Sequence, residues 1–238
     1  AWKNLRDMLK RANSHEQPYA RVLARFRGIE QEVQADEEGM FEVTLRLPEP
    51  LAEDGGWHPV DLVLLEPRPR GRGEPPVGQG QVLVPPRTAR LGVISDIDDT
   101  VVQTNVTDVL RAARTIMLGS ARTRLPFAGV ATFYRALHAG LPGGPGNPLF
   151  FVSNSPWNLY DVLLEFMNLQ GIPPGPVLLR NWGIYPHEFL PTESRAYKLA
   201  QIRPILEMYP HLPFILLGDS GEEDPEIYAE IVAEYRGR

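Results

Sequence analysis

The chain has 238 residues, 43% of them hydrophobic and 23% charged, which suits a soluble globular protein of one large or two smaller domains able to bury a core without covalent staples. It contains no cysteine, which excludes disulfides, thiolate zinc sites and cysteine nucleophiles and agrees with a reducing compartment such as the cytoplasm. The formal net charge of -6 supplies no basic face, so no nucleic-acid partner is expected; no apolar run approaches the ~20 residues of a membrane span, and the first residues lack the pattern of a secretory signal.

In residues 2–12, Trp2, Leu5, Leu9 and Ala12 recur at helical spacing, predicting a short amphipathic helix with a basic outer face. It either packs on the domain that follows or lies on a membrane surface. From Tyr19 to Pro85 the period becomes two. Val22 and Ala24 alternate with Leu23 and Arg25; Phe41, Val43, Leu45 and Leu47 alternate with Glu42, Thr44 and Arg46; Val60, Leu62 and Leu64 repeat the pattern, and Val82 and Val84 close it. Asp36-Glu37-Glu38-Gly39 is a turn between two such runs. Short alternating strands separated by Gly and Pro predict a small antiparallel β-sandwich, with no catalytic constellation in it. Arg68, Arg70 and Arg72 are interleaved with Pro and Gly; they read as a solvated loop or as a patch for an anionic surface.

Pro85-Pro86 marks a boundary, giving an accessory domain over 1–88 and a second domain over 89–238. Leu91–Ser95, Leu149–Val152, Pro176–Leu179 and Phe214–Leu217 are continuous apolar runs. Helical patterns lie between or after them at roughly 105–118, 129–139, 156–170, 193–208 and 224–235. Apolar strands alternating with helices predict an α/β fold with a Rossmann-like parallel sheet covered on both faces. Ligands bind outside the carboxyl ends of such strands, where Asp96, Ser153 and Gly218-Asp219 fall.

Ser95-Asp96-Ile97-Asp98-Asp99-Thr100 puts two carboxylates at the end of the first run. Taken alone this is an acidic turn or a reactive pair. As a pair, one carboxylate attacks phosphorus while the other gives a proton to the leaving oxygen and later takes one from water. Clustered carboxylates also call for a cation, and Mg2+ with oxygen ligands suits phosphate. Ser153-Asn154-Ser155-Pro156 follows the second run: Ser155 reads as an N-cap with Pro156 in the first turn, and Ser153 with free N–H groups suits a phosphate oxygen. Lys198 lies near the start of a helix, where it is either a surface residue or a neutraliser of the transferring group. Asp219 follows the last run. Asp224 reads as an N-cap before Pro225, which leaves room for a part behind a metal site.

The order of these motifs resembles the haloacid-dehalogenase-like phosphatase superfamily across about residues 91–238. Ser95–Thr100, Val152–Tyr160 and Gly218–Tyr228 are similar to the actin-patch-associated phosphatidate phosphatase family and its bacterial relatives. The resemblance implies Asp96 as nucleophile and Asp98 as general acid and base. It implies Ser153 and Lys198 on the phosphate with Asn154 nearby, and Mg2+ held by Asp96, the Asp98 carbonyl and Asp219, with Thr100 and Asp224 behind them. The implied reaction is Mg2+-dependent removal of phosphate from phosphatidate to give diacylglycerol. A phospholipid, or another exposed phosphomonoester, is the expected substrate, met by a cytoplasmic protein in peripheral contact with a membrane. The stretch 101–148 has room for at most a small cap, which agrees with an open site.

Overall fold

A computed structural model describes residues 17–49, 51, 55–68, 73–98, 100–101, 129–140, 146–180, 191–220 and 223–237. They fall into two compact units, one ending at Arg87 and the other beginning at Thr88. The expected helices over 2–12 and 105–118, most of the stretch considered for a cap, and Arg70 and Arg72 lie outside the described residues.

The first unit holds β1 (Arg21–Phe26), β2 (Ile29–Gln34), β3 (Gly56–Glu66) and β4 (Val77–Val84). They form one antiparallel sheet in the order β2-β1-β3-β4. Arg27 and Gly28 join β1 to β2, both at positive φ, the backbone sense a two-residue hairpin needs. The Asp36 carboxylate closes the expected turn by accepting the Glu38 and Met40 N–H groups, each at 2.9 Å. Ala24 sits opposite Leu62, and with Phe26 and Val60 they make an apolar face on which Val43, Leu45, Leu47 and Leu51 pack.

Residues 41–47 are not a strand, contrary to expectation. Their alternation records that every second side chain faces the sheet, and a segment laid on a sheet shows that period with or without ladder hydrogen bonds. The described residues of this unit therefore form one four-stranded sheet; a second, facing sheet is not among them.

The second unit holds β5 (Gly92–Ser95), α1 (Val130–Ala139), β6 (Leu149–Pro156), a 3-10 turn (Trp157–Leu159), α2 (Tyr160–Gln170), β7 (Val177–Arg180), α3 (Pro191–Met208), β8 (Phe214–Leu217) and α4 (Asp224–Glu234). Its sheet is parallel, in the order β7-β6-β5-β8. β5 is buried at every position, which explains its unbroken apolar run. Val93, Leu149 and Phe151 pack with Tyr134 of α1 and Leu163 and Phe166 of α2 in one core cluster. Asn147 locks the approach to β5 and β6: its Oδ1 accepts the Arg90 and Leu91 N–H groups, and its Nδ2 donates to the Leu137 carbonyl.

The chain steps from β5 to β6 to β7 on one side and returns to β8 on the other. The order therefore reverses at β5, where a parallel sheet opens a crevice at its carboxyl end. α3 and α4, which flank β8 in sequence, are tied by charge. Arg203 donates to Glu230 at 2.8 Å and to Glu234 at 2.7 and 2.9 Å, and Arg195 also pairs with Glu230.

Two helix starts differ from the sequence expectation. β6 runs through Ser153 and Ser155 to Pro156, which is extended at φ -67 and ψ 143, and α2 begins only at Tyr160. Ser155 thus caps no helix; its hydroxyl is engaged elsewhere. In α4 the N-cap position is Glu223, without a side-chain cap bond, and Asp224 lies inside the first turn beside Pro225. The end of α2 is as expected: Gly171 closes it at φ 69, the left-handed conformation that glycine adopts without strain.

Candidate active site

Asp96 is the residue after β5, and its main chain is held at both ends. Its N–H donates to the Leu217 carbonyl at 2.8 Å, extending the β5–β8 pairing by one bond. Its carbonyl accepts the Ser95 hydroxyl at 2.7 Å. A serine hydroxyl has one proton, so the 2.5 Å contact between Ser95 Oγ and the Tyr134 hydroxyl is a bond donated by Tyr134. Burial of Tyr134 pushes its phenol up to about 12, and the Asp96 charge acts in the same direction. On the other side, the Tyr228 hydroxyl donates to Leu217 O at 3.0 Å and lies 3.4 Å from Asp224 Oδ2. Burial, then the charges of Asp224 and Asp96, push the Tyr228 phenol well above the usual range. Both phenols stay protonated, and therefore remain donors, at any ordinary pH.

Lys198 reaches the same place from the second turn of α3. Its Nζ lies 3.1 Å from Asp96 Oδ1 and donates to Asp224 Oδ1 at 2.5 Å. All three side chains are 1% exposed. Leaving a charge uncompensated at such depth costs several kcal/mol, so the ammonium and the two carboxylates specify one another. This is the local reason Asp224 turns inward rather than capping α4.

Asp98 is set by the turn that follows. Ile97 and Val101 are buried in the core cluster, and the Val101 N–H donates to Ile97 O at 2.8 Å, closing the chain around Asp98. Its Oδ2 accepts two hydroxyls, Ser153 Oγ at 2.6 Å and Ser155 Oγ at 2.8 Å. Residues two apart on a strand share a face, so β6 delivers both serines to one carboxylate. The Ser155 N–H in turn donates to Ser153 Oγ at 2.8 Å. Asn154 is turned the other way and donates to the Ser194 hydroxyl at 2.5 Å. Ser194 stands one helical turn before Lys198 on α3, on the same face of that helix, so this bond fastens the lysine's helix to the end of β6.

The expected residues thus gather in two groups, Asp96 with Lys198 and Asp224, and Asp98 with Ser153. Asn154 faces α3, not Asp98. Asp219 is half-buried, two residues past Leu217, which pairs with Ser95, so it emerges from the same edge of the sheet. The buried Thr100 Oγ1 makes no hydrogen bond among the described residues. Ser95, Tyr134, Tyr228 and Ser194 carry no expected part in the sequence, and Ser155 carries only that of a helix cap; its hydroxyl at i+2 of Ser153 is the one legible signal for a place in the site.

Among the described residues no three acidic or histidine side chains gather as a metal cluster. The expected Mg2+ donors include only two carboxylates, Asp96 and Asp219, with a main-chain carbonyl from Asp98. All are hard oxygens of the kind Mg2+ takes, and around Lys198 two buried carboxylates face one ammonium. The donor chemistry and this excess of negative charge fit the ion.

Two carboxylates at the carboxyl end of a central parallel strand, one against a lysine and one under hydroxyl donors, have the unlike surroundings that suit a nucleophile and a proton donor. Residues 91–238 match the family model described as phosphatidate phosphatase APP1, catalytic domain, and the chain belongs to that family. It is 33% identical over 146 residues to Phosphatidate phosphatase APP1 of Saccharomyces cerevisiae, covering 61% of this chain and 24% of the yeast protein. It is 31% identical over 146 residues to an uncharacterized protein of Schizosaccharomyces pombe, covering 60% of this chain and 23% of that one. The chain therefore spans about a quarter of the length of these relatives. A chain from a structure of a Pnkp1/Rnl/Hen1 complex aligns at 15% identity with a TM-score of 0.35, covering 56% of this chain and 48% of that one; a likeness that low has no bearing on function.

Proposed function

We propose that the chain is a Mg2+-dependent phosphatidate phosphatase of haloacid-dehalogenase-like design, working through an aspartyl-phosphate. The observation that carries this reading is the unlike surroundings of Asp96 and Asp98, two residues apart in sequence: one is beside an ammonium, the other under two hydroxyls. Environments that differ in this way suit two carboxylates to different tasks. Membership of the phosphatidate phosphatase family supports the choice of substrate.

In this mechanism a carboxylate oxygen of Asp96 forms a bond to phosphorus as the bond from phosphorus to the glycerol oxygen breaks. The leaving oxygen takes the proton of the Asp98 carboxyl, and diacylglycerol departs. Water then attacks the phosphorus of the acyl phosphate and gives its proton to Asp98. The bond between phosphorus and Asp96 breaks, releasing inorganic phosphate and restoring both side chains. Lys198 neutralises phosphoryl oxygens as charge develops, with Asp224 fixing its position. Ser153 holds the phosphate with Lys198; Asn154 stands nearby, its amide fastened to Ser194 of α3. Asp96, the Asp98 carbonyl and Asp219 would hold Mg2+, with Thr100 behind, and the ion would supply positive charge against the charge developing in the reaction.

A lipid substrate requires peripheral contact with a membrane surface. Among the described residues no helix is long and apolar enough to cross one. Trp157 and Tyr160, each more than a third exposed, directly follow the strand that carries Ser153 and Ser155. Such amphipathic rings are suited to a lipid–water interface. The deciding test is a phosphate-release screen comparing phosphatidate in detergent micelles with soluble phosphomonoesters. Preference for phosphatidate is expected. Equal turnover of soluble esters would move the reading to another exposed phosphomonoester, and no release from any ester would leave a non-catalytic interaction module.

A further inference from the structure

We infer that Ser155 is a positioning residue for Asp98, holding its carboxyl in place while Ser153 serves the phosphate. The inference rests on the phosphatase reading above and adds a residue to it. Ser155 has the sequence of a helix cap, yet the helix starts five residues later at Tyr160 and takes no side-chain cap bond. Its hydroxyl goes instead to Asp98 Oδ2 at 2.8 Å, and its N–H to Ser153 Oγ at 2.8 Å. Ser155 thus touches both members of the pair that has to be aligned, from a site only 8% exposed.

The need for a second hydroxyl follows from the single proton on Ser153. In the structure that proton goes to Asp98 Oδ2 at 2.6 Å. A hydroxyl that donates to a phosphoryl oxygen cannot donate the same proton to Asp98. With Ser155 present, Oδ2 keeps one donor when Ser153 turns to the substrate, and the carboxyl plane does not swing. Because Oδ2 receives hydroxyl protons, the transferable proton belongs on Oδ1. The transfer itself is unchanged: the proton passes from the Asp98 carboxyl to the leaving oxygen as the bond from phosphorus to that oxygen breaks.

Leaving-group dependence separates positioning from a merely structural role. An alkoxide needs the proton from Asp98, whereas a nitrophenolate leaves without it. The test measures kcat/KM, with Mg2+ supplied, for dodecyl phosphate and for a dodecyl-bearing nitrophenyl phosphate in the same detergent micelles. Wild type, Ser155→Ala, Ser155→Thr and, as benchmark, Asp98→Asn are compared. Ser155→Ala is expected to lose roughly 10- to 100-fold on the alkyl ester, part of what a general acid contributes, and less than about threefold on the nitrophenyl ester. Ser155→Thr, which retains the hydroxyl, recovers most of the alkyl-ester rate, and Asp98→Asn discriminates in the same direction as Ser155→Ala.

A partly unfolded preparation lowers both rates equally and leaves their ratio untouched. If Ser155→Ala does not fold, Ser155→Cys, with a weaker donor, gives the same comparison. Equal loss on both esters, or no loss, in variants of an active wild type overturns the role of Ser155 and leaves the phosphatase reading standing. A wild type that releases phosphate from neither ester overturns both.

Discussion

Asp224 packs so closely on Gly218 that a Cβ at position 218 would lie 2.8 Å from both the Cβ and the Cγ of Asp224. The loop after β8 has no side chain there because the carboxylate that holds Lys198 occupies the space. Gly218→Ala is therefore expected to displace Asp224 and, through it, the lysine. Misplacing an active-site group by about 1 Å costs on the order of a hundredfold in rate, and overpacking of this kind costs about 1–3 kcal/mol. Phosphate release and a thermal melt, measured on the same preparation, check both effects.

Asp224→Ala leaves the Lys198 ammonium buried with Asp96 as its remaining carboxylate of the trio. Breaking a buried pair by removing one partner costs about 3–5 kcal/mol, and a urea melt should register a loss of that order. Asp224→Asn, which retains an acceptor for Lys198, should cost less. An unchanged midpoint for Asp224→Ala would show that the trio contributes nothing to stability.

Asp96→Asn should abolish phosphate release, since the amide is no nucleophile. Asp98→Asn should lower the rate by roughly 10² to 10⁴, the usual contribution of a positioned proton donor. Both variants should keep the circular dichroism spectrum of the wild type. Full activity in either would sink the mechanism.

Removal of Mg2+ by exhaustive chelation should stop turnover, and added Mg2+ should restore it. An independent reading comes from stability: a ligand bound only by the folded chain adds about 2.7 kcal/mol at a hundredfold excess over its Kd. Mg2+ should raise Tm in the wild type, and Asp219→Asn should reduce that rise.

Tyr134 gives a pH dependence on the alkaline side. Its phenol is pushed up to about 12 in the fold, against about 10 in an unfolded chain. Between these values the unfolded chain has lost a proton from this residue that the folded chain keeps, so the contribution of Tyr134 to stability is full below about pH 10 and falls as pH rises toward 12, by about 1.4 kcal/mol per unit. Tyr134→Phe should flatten this decline in urea midpoints followed against pH, and an unchanged slope would argue against it.

The parallel sheet was legible in sequence because β5 and most of β6 are buried, and burial on both faces writes a continuous apolar string; β8, partly exposed at the sheet edge, carries the same apolar run. The segment over 41–47 was misread because alternation reports which side chains turn inward, not whether the backbone is hydrogen-bonded into a sheet. Asp96, Ser153 and Lys198 were found as polar residues at strand and helix ends. Ser155 reads in sequence as a helix cap, and Asp224 as a cap or a residue behind a metal site, because cap residues and buried hydrogen-bonding residues are the same residue types. What separated the readings was a partner distant in sequence, Asp98 for the one and Lys198 for the other. Tyr134 was invisible as a polar residue, since its ring belongs to the helical apolar pattern and only its hydroxyl reaches Ser95.

β5 takes its neighbours from far along the unit: β6 begins at residue 149 and β8 at residue 214. Local helices close on short contour lengths, but β8 joins β5 only across more than a hundred residues, and long-range strand pairing is slow. In a refolding chain the helical signal should return first. Catalytic competence arrives only when β8 docks, because Asp96 takes its last main-chain bond from Leu217 and Lys198 takes its partner from the helix beyond. The time at which activity reappears is therefore a clock for completion of the sheet.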